Sequence, residues 1–293
     1  MDNVLKQLLV QKQNGFIIKD ITVVSDGSED NTVKIAQKYI NQGVKVIDGK
    51  LNRGVTYRQN QIISITTSDI LVLVNGDIVL RKTSVIHNLI LPIINGADFT
   101  AQWARPLRPR TFLERVLTAG FELKYYVYSR FKGGNNIYTC VGHMRALRKK
   151  FYLTITPPSI SDGEDQYLYL ACIKGGFKYQ YVDIANLYFR LPDNFLCYKK
   201  YAKRIFQTQI MYSDIFGKEF TKGERQIPKI LILRGCVYAF IFQHIYALLY
   251  IFLHFIMQKW SLTQPMNLSS AFEIVKSTKF TEDKTFGNQN YNI

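Results

Sequence analysis

Ile21-Thr22-Val23-Val24-Ser25-Asp26-Gly27-Ser28-Glu29-Asp30-Asn31-Thr32 reads as a short apolar strand, a tight turn and the start of a helix. Asp20–Ser25 supplies the strand and Gly27 permits the turn. Ser28 or Asp30 is placed to cap a helix expected over Asp30–Asn41. Working outward, Val44–Ile47 is a second strand, Thr56–Thr66 a helix, and Ile70–Val74 a third strand that is apolar on both faces. Such strands, alternating with helices, fit a largely parallel sheet covered on both sides. Tyr138–Leu147 and Tyr179–Phe189 read as further strands, Thr111–Phe131 and Gln166–Lys174 as helices.

The 293 residues allow one large domain or two small ones. Lysine and arginine exceed the acidic residues by 16, and 14% of the chain is aromatic, so an anionic partner is expected. Charge alone leaves nucleic acid, anionic lipid and a phosphorylated small molecule open. Interleaved bases and rings can bind single-stranded nucleic acid, but no nucleic-acid module pattern occurs, and that partner is set aside. The cysteines, Cys140, Cys172, Cys197 and Cys236, have neither C-x-x-C nor zinc spacing, so reduced, packing thiols are expected.

Gly235–Met257 is 23 residues long, with only Gln243, His244 and His254 clearly polar. About 20 apolar residues span a bilayer. Lys218, Lys222, Arg225, Lys229 and Arg234 precede this stretch and only Lys259 follows closely, which places the N-terminal portion on the cytoplasmic side. Two basic, aromatic stretches, Ala104–Phe131 and Tyr198–Tyr212, read as contacts to an anionic membrane surface or to acceptor phosphate, against solvated loops and ordinary core helices.

Three acidic signals carry chemistry. Asp26 ends the first strand, where open α/β sheets bind ligands. Asp77 ends the most apolar strand in Val74-Asn75-Gly76-Asp77. A carboxylate there is costly unless solvated or bound to a cation, and Mg²⁺ is commonly held by one or two carboxylates plus substrate phosphates. Glu164 and Asp165, in Ser161-Asp162-Gly163-Glu164-Asp165-Gln166, open a helix. They read either as favourable first-turn charges or as a crowded pair that tunes a general base.

The order D-G-S-x-D-x-T, then Asn52-Arg53-Gly54 with Asn60 beyond, then N-G-D, then Gly142-His143-Met144-Arg145-Ala146-Leu147-Arg148, then G-E-D-Q-Y-L, resembles family 2 glycosyltransferases. The resemblance covers roughly Asp2 to Phe216. It implies the GT-A fold, an α/β Rossmann-like mixed sheet, and inverting sugar transfer from a nucleotide sugar, here a UDP-sugar. By the resemblance, Asp26 contacts uracil or ribose, with Gly54 and Asn75 also on the nucleotide-sugar side. Asp77 binds Mg²⁺ or Mn²⁺, and Asp165 is the base that deprotonates an acceptor hydroxyl. Glu164, His143 and Arg204 are weaker acceptor or phosphate contacts, although a lone histidine near a strand, as His143 is, is more often structural. Asn75 stands in place of the first aspartate of D-x-D, shifting metal binding toward the diphosphate. Tyr201 and Ile205 stand where processive members carry Gln and Trp beside the arginine that Arg204 matches, which argues against processive synthesis.

The expected organisation is a GT-A domain over 1–197, a basic amphipathic interface segment over 198–229, a transmembrane or membrane-embedded helix over 230–257, and a polar tail over 258–293. Ser277-Thr278-Lys279 in that tail is similar to what membrane-bound members show. The acceptor would be a lipid or a glycan. The family's opening apolar strand is not found ahead of Val4–Gln13, so a sheet lacking that central strand is expected, with a truncated, non-catalytic remnant as the rival reading. A sugar nucleotidyltransferase is a third reading, but the Gly-rich, basic N-terminal loop it needs is not seen.

Overall fold

The computed structural model describes residues 1–158, 163–208, 212–265 and Thr278. Ser161, Asp162 and most of the 258–293 tail lie outside the described residues. In chain order the elements are α1 (Asp2–Leu9), β1 (Ile21–Asp26), α2 (Thr32–Gln37), β2 (Val44–Gly49), α3 (Val55–Ile65), β3 (Ile70–Val74), β4 (Ile78–Leu80) and α4 (Val85–Ile94). There follow β5 (Phe99–Gln102), β6 (Arg105–Pro106), α5 (Phe112–Tyr128), β7 (Met144–Arg148), α6 (Lys149–Tyr152), α7 (Glu164–Lys174), β8 (Tyr179–Val182) and β9 (Leu187–Phe189). The chain closes with α8 (Phe195–Thr208), α9 (Ser213–Phe216), α10 (Lys218–Arg225), α11 (Lys229–Gln243) and α12 (Ile245–Thr263).

The strands form three ladders. β1 and β2 pair in parallel, from Ile21 opposite Val44 to Asp26 opposite Gly49. The four-stranded sheet runs β3-β7-β5-β8, antiparallel except for the parallel β5–β8 pair. β4, β9 and β6 make the third. Among the described residues β1 and β3 share no ladder, and α1 links their surroundings. Val4 packs with Ile78 and Leu80, whereas Leu5 packs with Val23, Tyr39 and Val44. Phe99, Leu147, Phe151 and Tyr169 fill the core under the main sheet.

Several sequence expectations are corrected, the first being the largely parallel sheet, since β7 runs antiparallel to both β3 and β5. The helix after β1 starts at Thr32, with the Asp30 carboxylate accepting from the Thr32 N–H at 2.9 Å, and stops at Gln37. The strand expected over Tyr138–Leu147 begins only at Met144. The residues before it are held in a turn, where Asn136 donates to the carbonyls of Tyr128 and Phe131, both at 2.7 Å. Tyr179–Phe189 is two strands in two sheets. The Gln102 amide, donating to the Ile184 carbonyl at 2.7 Å, anchors the crossing between them.

The apolar stretch 230–257 is not one helix. It breaks at His244, whose φ of 47° is uncommon for a residue with a side chain. Helices α11 and α12 on either side of the break both pack on α5. Gly120 of α5 admits the Tyr250 ring, and a β-carbon there would collide with it. Among the described residues, α12 alone, 19 residues, is long and apolar enough to cross a membrane. α5 itself starts at a reciprocal cap. The Thr111 hydroxyl accepts from the Glu114 N–H and the Glu114 carboxylate accepts from the Thr111 N–H, each at 3.1 Å.

Candidate active site

Asp26 ends β1 beside the loop that follows β2. Gly27 (φ 70°) lets that loop close in, because a β-carbon on it would lie 2.7 Å from the Asn52 nitrogen. The Asp26 carboxylate accepts from the Arg53 and Gly54 N–H groups, both at 2.8 Å, and from Arg58 Nε at 2.9 Å. Gly54 adopts φ 89° as it starts α3, a conformation open to glycine. Asp26 therefore clamps the 53–54 turn, and a carboxylate with about four acceptor positions keeps about one for a ligand. Arg58 also donates to the Leu51 carbonyl at 2.7 Å. It is a site residue that the sequence reading missed, since its partner lies 32 positions away.

The second group assembles around Gly142. A β-carbon placed on Gly142 would lie 3.6 Å from Glu164 Oε1, 3.7 Å from Asn75 Nδ2 and 3.9 Å from Asp165 Oδ2. Asn75 follows β3, and its N–H donates to the His143 carbonyl at 3.0 Å. Glu164 and Asp165 open α7 across from it. Glu164 accepts from Arg145 Nη2 at 3.2 Å and from Gln59 Nε2 at 3.4 Å. Arg145 is fully buried, and its Nε and Nη1 have no partner among the described residues. Within the motif Gly142–Arg148, nothing in the sequence alone assigns a role to Arg145. The available signal was a charge in the middle of a strand buried on both faces.

Burial, followed by the neighbouring Glu164 charge, raises the Asp165 carboxyl to about 6; Arg145, the Gln166 N–H and Arg204 oppose the rise. His143 is pushed down to about 4 by burial, with Arg145 and Arg204 adding to the shift and Asp77 resisting it, so its imidazole is neutral at pH 7. The ring packs on Phe189 at 4.5 Å between centroids. Arg204 lies on the exposed face of α8 within electrostatic reach of both His143 and Asp165. The fold thus brings together Asn75, Asp77, His143, Glu164, Asp165 and Arg204, while Asp26 and Gly54 form a separate clamp at the end of β1.

Among the described residues no three His, Cys, Asp or Glu side chains converge as a protein-only metal site. The oxygen donors beside one another on this loop, the Asp77 carboxylate and the Asn75 amide, suit a hard cation that takes its remaining ligands from phosphate.

Residues 1–155 match the family described as glycosyl transferase family 2, and the chain belongs to it. It is a glycosyltransferase of the GT-A fold that uses nucleotide-sugar donors. No curated protein sequence matches the chain. Among solved structures it is similar to the mannosyltransferase PcManGT from Pyrobaculum calidifontis, in complex with GDP-Man and Mn²⁺, at 12% identity and a TM-score of 0.55, over 90% of this chain and 72% of that one. It is also similar to S. aureus TarS 1–349 in complex with UDP, at 14% identity and a TM-score of 0.50, over 93% of this chain and 89% of that one. A further structure of S. aureus TarS 1–349 aligns at 15% identity and a TM-score of 0.50, over 80% of this chain and 66% of that one. At these identities the likeness is one of fold.

Proposed function

We propose that the chain is an inverting glycosyltransferase that works at a membrane and takes its sugar from a UDP-sugar. The carrying observation is the convergence of Asp165, Glu164 and Asn75 on the space left open by Gly142. A carboxyl near 6 is ionised at neutral pH and is a stronger base than an ordinary aspartate. Asp165 takes the proton of an acceptor hydroxyl. That oxygen forms its bond to the anomeric carbon as the bond from that carbon to the diphosphate oxygen breaks. A single displacement inverts the configuration, and the nucleoside diphosphate leaves with the bond's electron pair.

Asp77, with Asn75, would hold Mg²⁺ or Mn²⁺, which neutralises charge on a departing diphosphate when bound. Arg204 faces the same region and supplies positive charge to substrate phosphate. The acceptor is a lipid or a glycan, and the basic stretches ahead of α11 favour a catalytic domain on the cytoplasmic side. The test is donor turnover in membranes carrying Asp77→Ala or Asp165→Asn; undiminished turnover in both variants overturns the assignment.

One observation favours the rival, non-catalytic reading. The Asp26 carboxylate is already occupied by three donors of its own chain. Calorimetry with UDP separates the two, since a remnant would give no saturable binding heat with or without Mn²⁺.

A further inference from the structure

The helical pair after Pro228 has two dissimilar sides. One side of α12 is bound to the catalytic domain along its whole length. Tyr246 meets Phe112 with centroids 5.8 Å apart, Tyr250 fills the notch at Gly120, and His254 packs on Phe206 at 5.1 Å. Near the far end, the Trp260 ring lies 4.4 Å from Lys199 Nζ, and the Ser261 carbonyl accepts from Gln207 at 3.4 Å. α11 is bound in the same way, with Tyr238 stacked on Tyr126 at 4.6 Å and Gly235 against Val127.

The other side carries large apolar residues facing outward. Phe252 is 67% exposed and Phe255 58%, with Ile245, Leu248, Ile256 and Leu262 also exposed. α11 also exposes Leu233, Val237, Phe240 and Ile241, with the exposed Arg234 among them. An exposed apolar area of this extent marks a surface that is covered in use.

The packed side argues against a crossing. The 19 residues of α12 span about 28 Å, and all of that length lies against α5 and α8. Lys124 of α5 reaches the Tyr250 ring at 5.7 Å, five residues or about 8 Å into α12. A crossing α12 would carry Lys124 and the adjoining part of α5 past the headgroups into hydrocarbon, where an ammonium is disfavoured. α5 cannot follow, because Val116 and Leu117 are packed with Leu191, Tyr198 and Phe206.

Charge completes the picture at the α11–α12 turn. An open groove of about 220 Å³ is lined there by Arg108, Pro109, Arg115, Thr118, Gln243 and Tyr246. Arg108 and Arg115 are exposed, and neither has a carboxylate partner among the described residues. Cations beside an apolar face fit an anionic lipid surface.

We propose that α11 and α12 lie in the plane of one leaflet of an anionic bilayer, apolar face down, with acidic lipid headgroups taken up between Arg108 and Arg115. This rests on the membrane attachment proposed above and not on the transfer chemistry.

Two measurements test it, and neither uses turnover, so failure of the transferase reading leaves them intact. The first uses the full chain in sealed membranes, with Cys197 and Cys236 replaced by alanine and Gln243→Cys or Thr263→Cys added singly. A membrane-impermeant maleimide applied from the face opposite the catalytic domain labels neither position. Labelling of either one from that face overturns the proposal.

The second is flotation with phosphatidylcholine vesicles, with and without phosphatidylglycerol. Binding of Arg108→Gln/Arg115→Gln to the anionic vesicles falls about thirtyfold, about fivefold for each arginine, and binding to the neutral vesicles is unchanged. An equal loss on both vesicle types, or a loss of less than about threefold on the anionic ones, overturns the headgroup site.

Discussion

Asp165→Asn should destroy activity and stabilise the protein at once. The Asp165 carboxyl rises from an ordinary 3.8 to about 6, first through burial and then through the adjacent Glu164 charge. That difference corresponds to about 3 kcal/mol between the two protonation states. Asp165 is partly exposed, so solvent screening reduces the stability penalty to about 1–2 kcal/mol. The sign follows from linkage. Below pH 3.8 the group is protonated in both folded and unfolded chains and costs nothing. As pH rises from 3.8 to about 6, the unfolded chain gives up the proton more readily, and the folded state loses relative stability. Above about 6 the penalty is complete.

A neutral asparagine avoids that penalty and keeps an oxygen for the Gln166 N–H, now held by Asp165 at 2.8 Å. The assay is thermal unfolding of wild type and variant at pH 7 and pH 4, alongside donor turnover. The midpoint should rise by about 2–8 °C at pH 7, with no gain at pH 4, while turnover falls about 10²–10⁴-fold. A variant less stable than wild type at pH 7, or equally stabilised at both pH values, refutes the burial and crowding assigned to Asp165.

Two neighbours should move the acidic limb of the pH–rate profile in opposite directions. Glu164→Gln removes a like charge and shifts the limb to lower pH. Arg145→Met removes an opposing cation and shifts it to higher pH, while leaving Glu164 without its buried partner at a cost of about 3–5 kcal/mol; profiles of both variants and their melting midpoints check this. Chelation of divalent ions should abolish turnover, with recovery on adding Mn²⁺, because Asp77 and Asn75 offer too few ligands without the diphosphate; turnover that persists in chelator removes the cation from the scheme. Thr111→Ala should cost about 1 kcal/mol by opening the cap of α5, measured as a lowered midpoint with the activity of the remaining folded protein unchanged.

The acidic residues were legible in the sequence because each marks a local event. Asp26 and Asn75 close apolar strands, Asp77 follows in the same turn, and Glu164 and Asp165 open a helix. Burial and periodicity in short windows reveal such positions. Arg145 and Arg58 gave little signal of this kind. Their partners, Glu164 and Asp26, lie 19 and 32 positions away, and chain separation says nothing about contact. The same limit hid the break within Tyr179–Phe189, where the Gln102 amide, 82 positions from Ile184, holds the chain out of line; the late start of the strand expected from Tyr138 is a local event, set by the neighbouring Asn136 amide.

The sequence by itself determined the alternation of strand and helix, the family resemblance, the carboxylates at the strand and helix ends, and the strongly apolar stretch near residue 244. Those features are written in nearest-neighbour chemistry: side-chain shape, turn-forming residues and runs of apolar groups. Only the tertiary structure decided that Glu164, Asp165 and Asn75 meet at Gly142, that Asp26 is clamped by its own chain, and that the apolar stretch folds at His244 to lie against α5. An apolar helix has the same composition whether its neighbours are lipid or protein. Which it meets depends on what the rest of the chain offers, here the notch at Gly120 and the close approach at Gly235.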